Sequence, residues 1–213
     1  MGMNTNDVVL ITGASKGLGF ALAKLFARRR HRLVINARNE EALRDAAREL
    51  SALTQVVAVP GDVSEIAETI AAKAKSFGRV DILINNASEL GPMVPLIEHP
   101  WESLERVFRV NVVAPIHLIQ LVRPRTVVNI ISDAAKNAYP NWGGYAASKA
   151  ALEHASRILA AEQPDMRVLV IDPGDMNTEM HALAEPGVDL SGLPLPDAVA
   201  PRIIHEIAGE IAA

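Results

Sequence analysis

The chain has 213 residues, 49% of them hydrophobic, and a net charge of −4 with its basic residues scattered. That size supports one core and a single domain over 1–213, and the charge balance implies neither a nucleic-acid surface nor a basic membrane-binding face. With no cysteine, disulfides, thiolate nucleophiles and cysteine-based metal sites are excluded, and because the six histidines stand singly no metal site is expected.

The start, from Met1 to Asp7, is polar and leads into a short apolar run, without the pattern of a signal peptide. No segment has the apolar length to cross a bilayer, so a cytoplasmic location is the expectation. Apolar runs of strand length at 8–12, 32–36, 55–59, 82–85, 126–131 and 167–171 alternate with helical patterns at 17–29, 40–50, 65–77, 101–121, 144–162 and 197–211. Arg28, Arg29 and Arg30 suit a helix end, where cations complement the dipole. Ser64 reads as the N-cap of the third helix.

Right-handed crossovers turn this alternation into an α/β, Rossmann-like doubly wound parallel sheet. It should have about six strands in the order 3-2-1-4-5-6, helices on both faces and no seventh strand. Ligands are expected beyond the carboxyl ends of the strands. The segment 173–196 has no clear period, and loops of that length tend to be lids or binding loops, so it is expected to cover the substrate.

Thr12, Gly13, Ala14, Ser15, Lys16, Gly17, Leu18 and Gly19 follow the first strand and open the first helix. Residues without side chains let backbone amides at a helix start approach a pyrophosphate, and the dipole favours its charge. The spacing Gly-x-x-x-Gly-x-Gly differs from Gly-x-Gly-x-x-Gly but solves the same problem. After the second strand a carboxylate would bind a ribose 2′-hydroxyl, whereas an arginine would accept a 2′-phosphate. The sequence offers Arg38 there, with Lys16 in the glycine turn, which favours NADP(H) and leaves NAD(H) possible. Glu40 and Glu41 are rivals for the ribose contact but read better as first-turn acids of the next helix. Arg38 as an ordinary surface cation is the other alternative.

Tyr145 and Lys149 lie one helical turn apart on one face. A free phenol has a pKa near 10, and a nearby ammonium would lower it toward useful acid–base work. Alone, such a pair is common. It gains weight from Ser132, thirteen residues earlier at a strand end, whose hydroxyl is placed to hold a substrate oxygen beside the phenol.

Gly13, Gly17 and Gly19, the run Asn85-Asn86-Ala87-Ser88, Asn111, Ser132, Tyr145, Lys149 and Pro173-Gly174 together resemble the short-chain dehydrogenase/reductase family over nearly the whole chain. The resemblance implies that Tyr145 is the general acid in reduction and the base in oxidation, with Lys149 also binding the nicotinamide ribose. It implies that Ser132 orients the substrate oxygen and that Asn111 holds a water relaying protons to the lysine, where a kinking or capping role is the alternative. It further places Asp62 and Val63 at the adenine and Asn86 and Ala87 along the cofactor. Pro173, Gly174, Met176 and Thr178 would wrap the nicotinamide and phosphates. Ser88 stands where the family motif usually has glycine, and Asp133 follows Ser132 where a small residue is common.

The expected substrate is a small or medium apolar ketone or secondary alcohol, because Glu89, Leu90, Met93, Tyr139, Trp142 and Met176 through Leu183 flank the catalytic set and most are apolar. His181 is either a substrate contact or a solvated loop residue. A homodimer through helices near 101–121 and 144–162 is a further expectation. The rival to an enzyme is a catalytically silent NADP-binding regulatory or interaction protein of the same fold.

Overall fold

The computed structural model describes residues 6–209, so the ends at 1–5 and 210–213, including the tail of the last expected helix, lie outside the described residues. Val8–Thr12 (β1), Arg32–Ala37 (β2), Val56–Pro60 (β3), Val80–Asn85 (β4), Thr126–Ile130 (β5) and Arg167–Ile171 (β6) form one parallel sheet in the order 3-2-1-4-5-6. Every residue of β1 is buried, as a central parallel strand covered on both faces requires. Successive side chains point to opposite faces, so Val9 and Ile11 join one core half with Leu22, Phe26, Leu33 and Ile35. Val8 and Leu10 join the other with Ile70, Leu83, Leu118 and Val127. Each fully buried side chain such as Phe26 or Leu10 contributes about 1.5–3 kcal/mol over its exposed state.

The helices are Gly17–Arg28 (α1), Glu40–Ser51 (α2), Ala67–Phe77 (α3), Trp101–Phe108 (α4), Ala114–Val122 (α5), Gly143–Glu162 (α6), Glu179–Ala184 (α7) and Pro196–Ala208 (α8). Most limits fall within two residues of those read from the sequence, but three readings need correction.

Ser64 is not a cap. Its hydroxyl and its amide both donate to Asp62 Oδ1, at 2.7 and 2.9 Å, which closes a tight turn and delays α3 until Ala67, with Ile66 at the N-cap. The expected helix over 101–121 is α4 and α5 joined by a π-helical turn, Arg109–Val113, where Asn111 directs its amide out of the helix into other partners. The segment 173–196 is not structureless, because it contains α7, capped by Thr178, whose hydroxyl accepts from His181 N at 3.2 Å.

One polar string in the core fixes where α6 lies. Asn85 Nδ2 donates to Asn129 Oδ1 and Asn129 Nδ2 to Ser156 Oγ, both at 2.8 Å, linking β4, β5 and α6. A buried string of this kind specifies one docking register, since any slip would leave amides without partners.

Candidate active site

A cleft of about 750 Å³ runs along the carboxyl ends of the strands. Its walls include Gly13, Ser15, Lys16, Gly17, Leu18, Arg38, Asp62, Val63, Asn86, Ala87, Ser132, Tyr145, Lys149, Pro173, Gly174, Met176 and Thr178. The sequence reading therefore gathers its residues into one place, with two exceptions. Gly19 and Asn111 sit behind the wall.

Gly17 adopts φ +58, a region side chains disfavour, and a Cβ there would face open space, so the backbone at the start of α1 is bare toward the cleft. Gly19 serves packing: an added Cβ would lie 2.3 Å from Gly13 O, so only glycine lets α1 seat against the turn. Asn86 braces the same turn from β4, its Nδ2 donating to the carbonyls of Thr12 and Gly13 at 3.0 and 3.1 Å. Bare amides, a helix start and Lys16 at its N-cap suit a diphosphate, and a cleft of this volume is large enough for a dinucleotide-sized ligand. The site thus fits a nicotinamide cofactor by its own geometry.

Charged side chains crowd the β2 end of the cleft. Arg38 NH1 lies 2.7 Å from Glu89 Oε2, Arg106 Nε lies 3.4 Å from the same oxygen, and Arg106 NH2 lies 2.6 Å from Asp62 Oδ2. Burial pulls the Asp62 carboxyl upward, but hydrogen bonds from Ser64 and Arg106 outweigh it and hold the group below the usual range. Neither Arg106 nor the ion-pairing of Glu89 was legible in the sequence, because α4 and the β4 end meet only in three dimensions. Lys16 is ion-paired to Glu179 of α7.

The catalytic end is built by β5 and α6. Tyr145 is buried, edge-on to Trp142 with ring centroids 6.0 Å apart. Lys149 is buried too, its Nζ donating to Ile130 O at 2.8 Å and standing 5.5 Å from the Tyr145 ring centroid. The expectation that the ammonium lowers the phenol's pKa is corrected here. Burial dominates and pushes Tyr145 up to about 12, the hydrogen bond of Ser132 opposes it, Asp172 and Asp133 raise it further, and Ser88 opposes again. Burial alone brings the Lys149 amine down to about 8. The lysine stands over the ring, where its charge does little for the phenolic oxygen.

Ser132 is at the end of β5 as read, accepting from Ala134 N at 3.2 Å and donating to Asp133 Oδ1 at 3.0 Å. Tyr139 also donates to Asp133, through Oδ2, and this first, then Ser132 and Asn137 against the pull of burial, keeps the carboxyl low. Tyr139 and Met93 therefore leave the expected substrate wall, while Leu90, Trp142, Met180, His181 and Leu183 remain on it. His181 belongs to α7 and pairs with Glu185 rather than lying in a bare loop.

Asn111 donates to Glu89 O at 2.8 Å and Ser148 Oγ at 2.9 Å, and accepts from Glu89 N at 2.7 Å and Ser88 Oγ at 3.2 Å. Its amide clamps the loop after β4. Ser88, noticed in the sequence only as a departure from glycine, bonds Asn111.

A family model described as short chain dehydrogenase matches residues 7–188. The chain is 33% identical over 212 residues to an uncharacterized oxidoreductase, YciK, of Escherichia coli (strain K12), covering 92% of this chain and 84% of that protein. It is 35% identical over 210 residues to the sepiapterin reductase of Bos taurus, covering 84% of this chain and 77% of that one. Among solved structures, a short chain dehydrogenase of Shigella flexneri 2a str. 301 complexed with NADP superposes with a TM-score of 0.87 at 30% identity, over 96% of this chain and 92% of that one. With glycine turn, Ser132, Tyr145 and Lys149 gathered at one edge of a sheet ordered 3-2-1-4-5-6, the chain belongs to the short-chain dehydrogenase/reductase family of oxidoreductases.

Proposed function

We propose that the protein is an NADP(H)-dependent carbonyl reductase or alcohol dehydrogenase acting on a small or medium apolar ketone or secondary alcohol. The observation that carries this reading is that Ser132 and the buried Tyr145 line one end of a cleft whose other end is a bare glycine turn. When bound, the cofactor supplies or accepts hydride at the substrate carbon. Tyr145 gives its proton to the oxygen left negative in reduction and takes it back in oxidation. Ser132 turns its hydroxyl from Asp133 onto the substrate oxygen and so sets the carbonyl's direction.

A phenol held at about 12 keeps its proton at neutral pH, as the donor in a reduction must. Lys149, fixed by Ile130 O over the ring, supplies positive charge for the ribose hydroxyls. Leu90, Trp142, Met180 and Leu183 give the substrate end its apolar character. Arg38 and Lys16 support NADP(H) over NAD(H), and a solved neighbour complexed with NADP agrees. The faces of α4, α5 and α6 support a homodimer, since Trp101, Ile116 and Ile158 are exposed there.

NADPH oxidation across a ketone panel tests the reading. Tyr145→Phe should lower kcat by roughly 10²–10⁴-fold while NADPH binding persists. NADPH binding without turnover on any panel member would favour a silent NADP-binding protein instead.

A further inference from the structure

Strand order brings two distant segments together at the cofactor end of the cleft. Because β2 and β4 flank β1 on either side, Arg38 just after β2 and Glu89 just after β4 face each other across the carboxyl end of β1, where the glycine turn begins. The two meet at 2.7 Å over the turn that opens onto the cleft, and both line its wall.

Glu89 is not a wandering surface residue. Asn111 grips its backbone at both ends, accepting from its amide at 2.7 Å and donating to its carbonyl at 2.8 Å. The side chain of Glu89 is 22% exposed, against 58% for Arg38, so the carboxylate is the enclosed partner and the arginine the solvated one. Arg38, Glu89, Arg106 and Asp62 form an alternating row of two cations and two anions with no net charge.

A ribose 2′-phosphate carries between one and two negative charges near neutral pH. To meet it, Arg38 must give up its contact with Glu89, whose carboxylate then keeps only Arg106, a cation it shares with Asp62. A 2′-hydroxyl imposes no such demand: it can donate to Glu89 while Arg38 stays paired. The carboxylate that nicotinamide-binding sites commonly carry after the second strand is thus delivered here from the fourth.

We propose that Glu89 is the residue that sets the preference between phosphorylated and unphosphorylated cofactor, by acting as an internal anion that competes with the 2′-phosphate for Arg38. The proposal rests on the reading of the cleft as a nicotinamide-cofactor site. Glu89 weakens NADP(H) binding and leaves NAD(H) binding in place, so the unaltered chain discriminates less than Arg38 alone would impose.

Calorimetric titration of the protein with NADP⁺ and with NAD⁺ tests this without turnover. Glu89→Gln, which keeps the shape and leaves the Asn111 clamp intact, should tighten NADP⁺ by roughly fivefold, the scale of one partly exposed ion pair, with NAD⁺ unchanged or weaker. In an Arg38→Ala background the same change should move NADP⁺ by less than about twofold. An unchanged NADP⁺ to NAD⁺ affinity ratio in Glu89→Gln, or an equal shift with Arg38 already removed, overturns the proposal while leaving the functional reading intact. Failure of the unaltered protein to bind either nucleotide overturns both.

Discussion

Lys149 holds a charge on a side chain almost wholly withdrawn from water. Its folded pKa near 8 lies below the ordinary lysine value of 10.5, and burial is the cause. Below about pH 8 folded and unfolded chains both carry the proton, and the fold bears the full cost of a buried ammonium. Between about 8 and 10.5 the folded chain has released the proton while the unfolded chain still binds it, so stability rises with pH across that window. A depression of this size corresponds to roughly 3 kcal/mol. The melting temperature of Lys149→Met relative to the parent should therefore be most favourable to the variant below pH 8, and that relative gain should shrink steadily toward pH 10.5. Thermal melts across that range would refute the account if the difference between the two proteins stayed flat. The hydrogen bond to Ile130 O gives this buried ammonium a partner in place of bulk water.

At the scale of elements, the π-helical turn Arg109–Val113 is where fold and site meet. One wide turn re-aims a single amide, and that amide holds the loop after β4 together with α6 through Ser148. Asn111→Ala removes a buried side chain whose partners are themselves half-buried or buried, so it should cost about 3 kcal/mol and lower the melting temperature by several degrees. Its effect should also reach Glu89, whose backbone it no longer fixes, and blunt the influence of Glu89→Gln on cofactor preference. A calorimetric melt indistinguishable from the parent would show that the clamp contributes nothing to stability. The segment 173–196 shows the same economy of parts, with Thr178 both capping α7 and lining the cleft.

For the molecule as a whole, four of the ten large apolar residues that are exposed among those described lie on or beside the helices proposed to pair. Trp101, Val113, Ile116 and Ile158 lie on or between α4, α5 and α6, all of which contact one another on one side of the sheet or follow in sequence. Surface apolar groups of this kind mark association faces when contiguous. Size-exclusion chromatography with light scattering should give twice the chain's 22.9 kDa mass at micromolar concentration, and a monomer there would remove the dimer reading.

Much of this protein is legible in its residues taken in order. Apolar runs alternating with amphipathic stretches determine a parallel sheet, because strands buried on both faces need crossover helices, and the handedness of those crossovers then leaves few strand orders. The glycine turn, Ser132 and the Tyr145/Lys149 pair are equally local, since each depends on a strand end or one helical turn. What the tertiary structure decided are the properties that depend on who sits beside whom. Burial, not the lysine, governs the phenol and raises it to about 12. Ser64 caps nothing because Asp62 takes its hydroxyl first. Asn111 proves to be a clamp, and Glu89, which reads as a substrate-side residue in the chain, becomes the partner of Arg38, because strand order places residues fifty positions apart within one hydrogen bond.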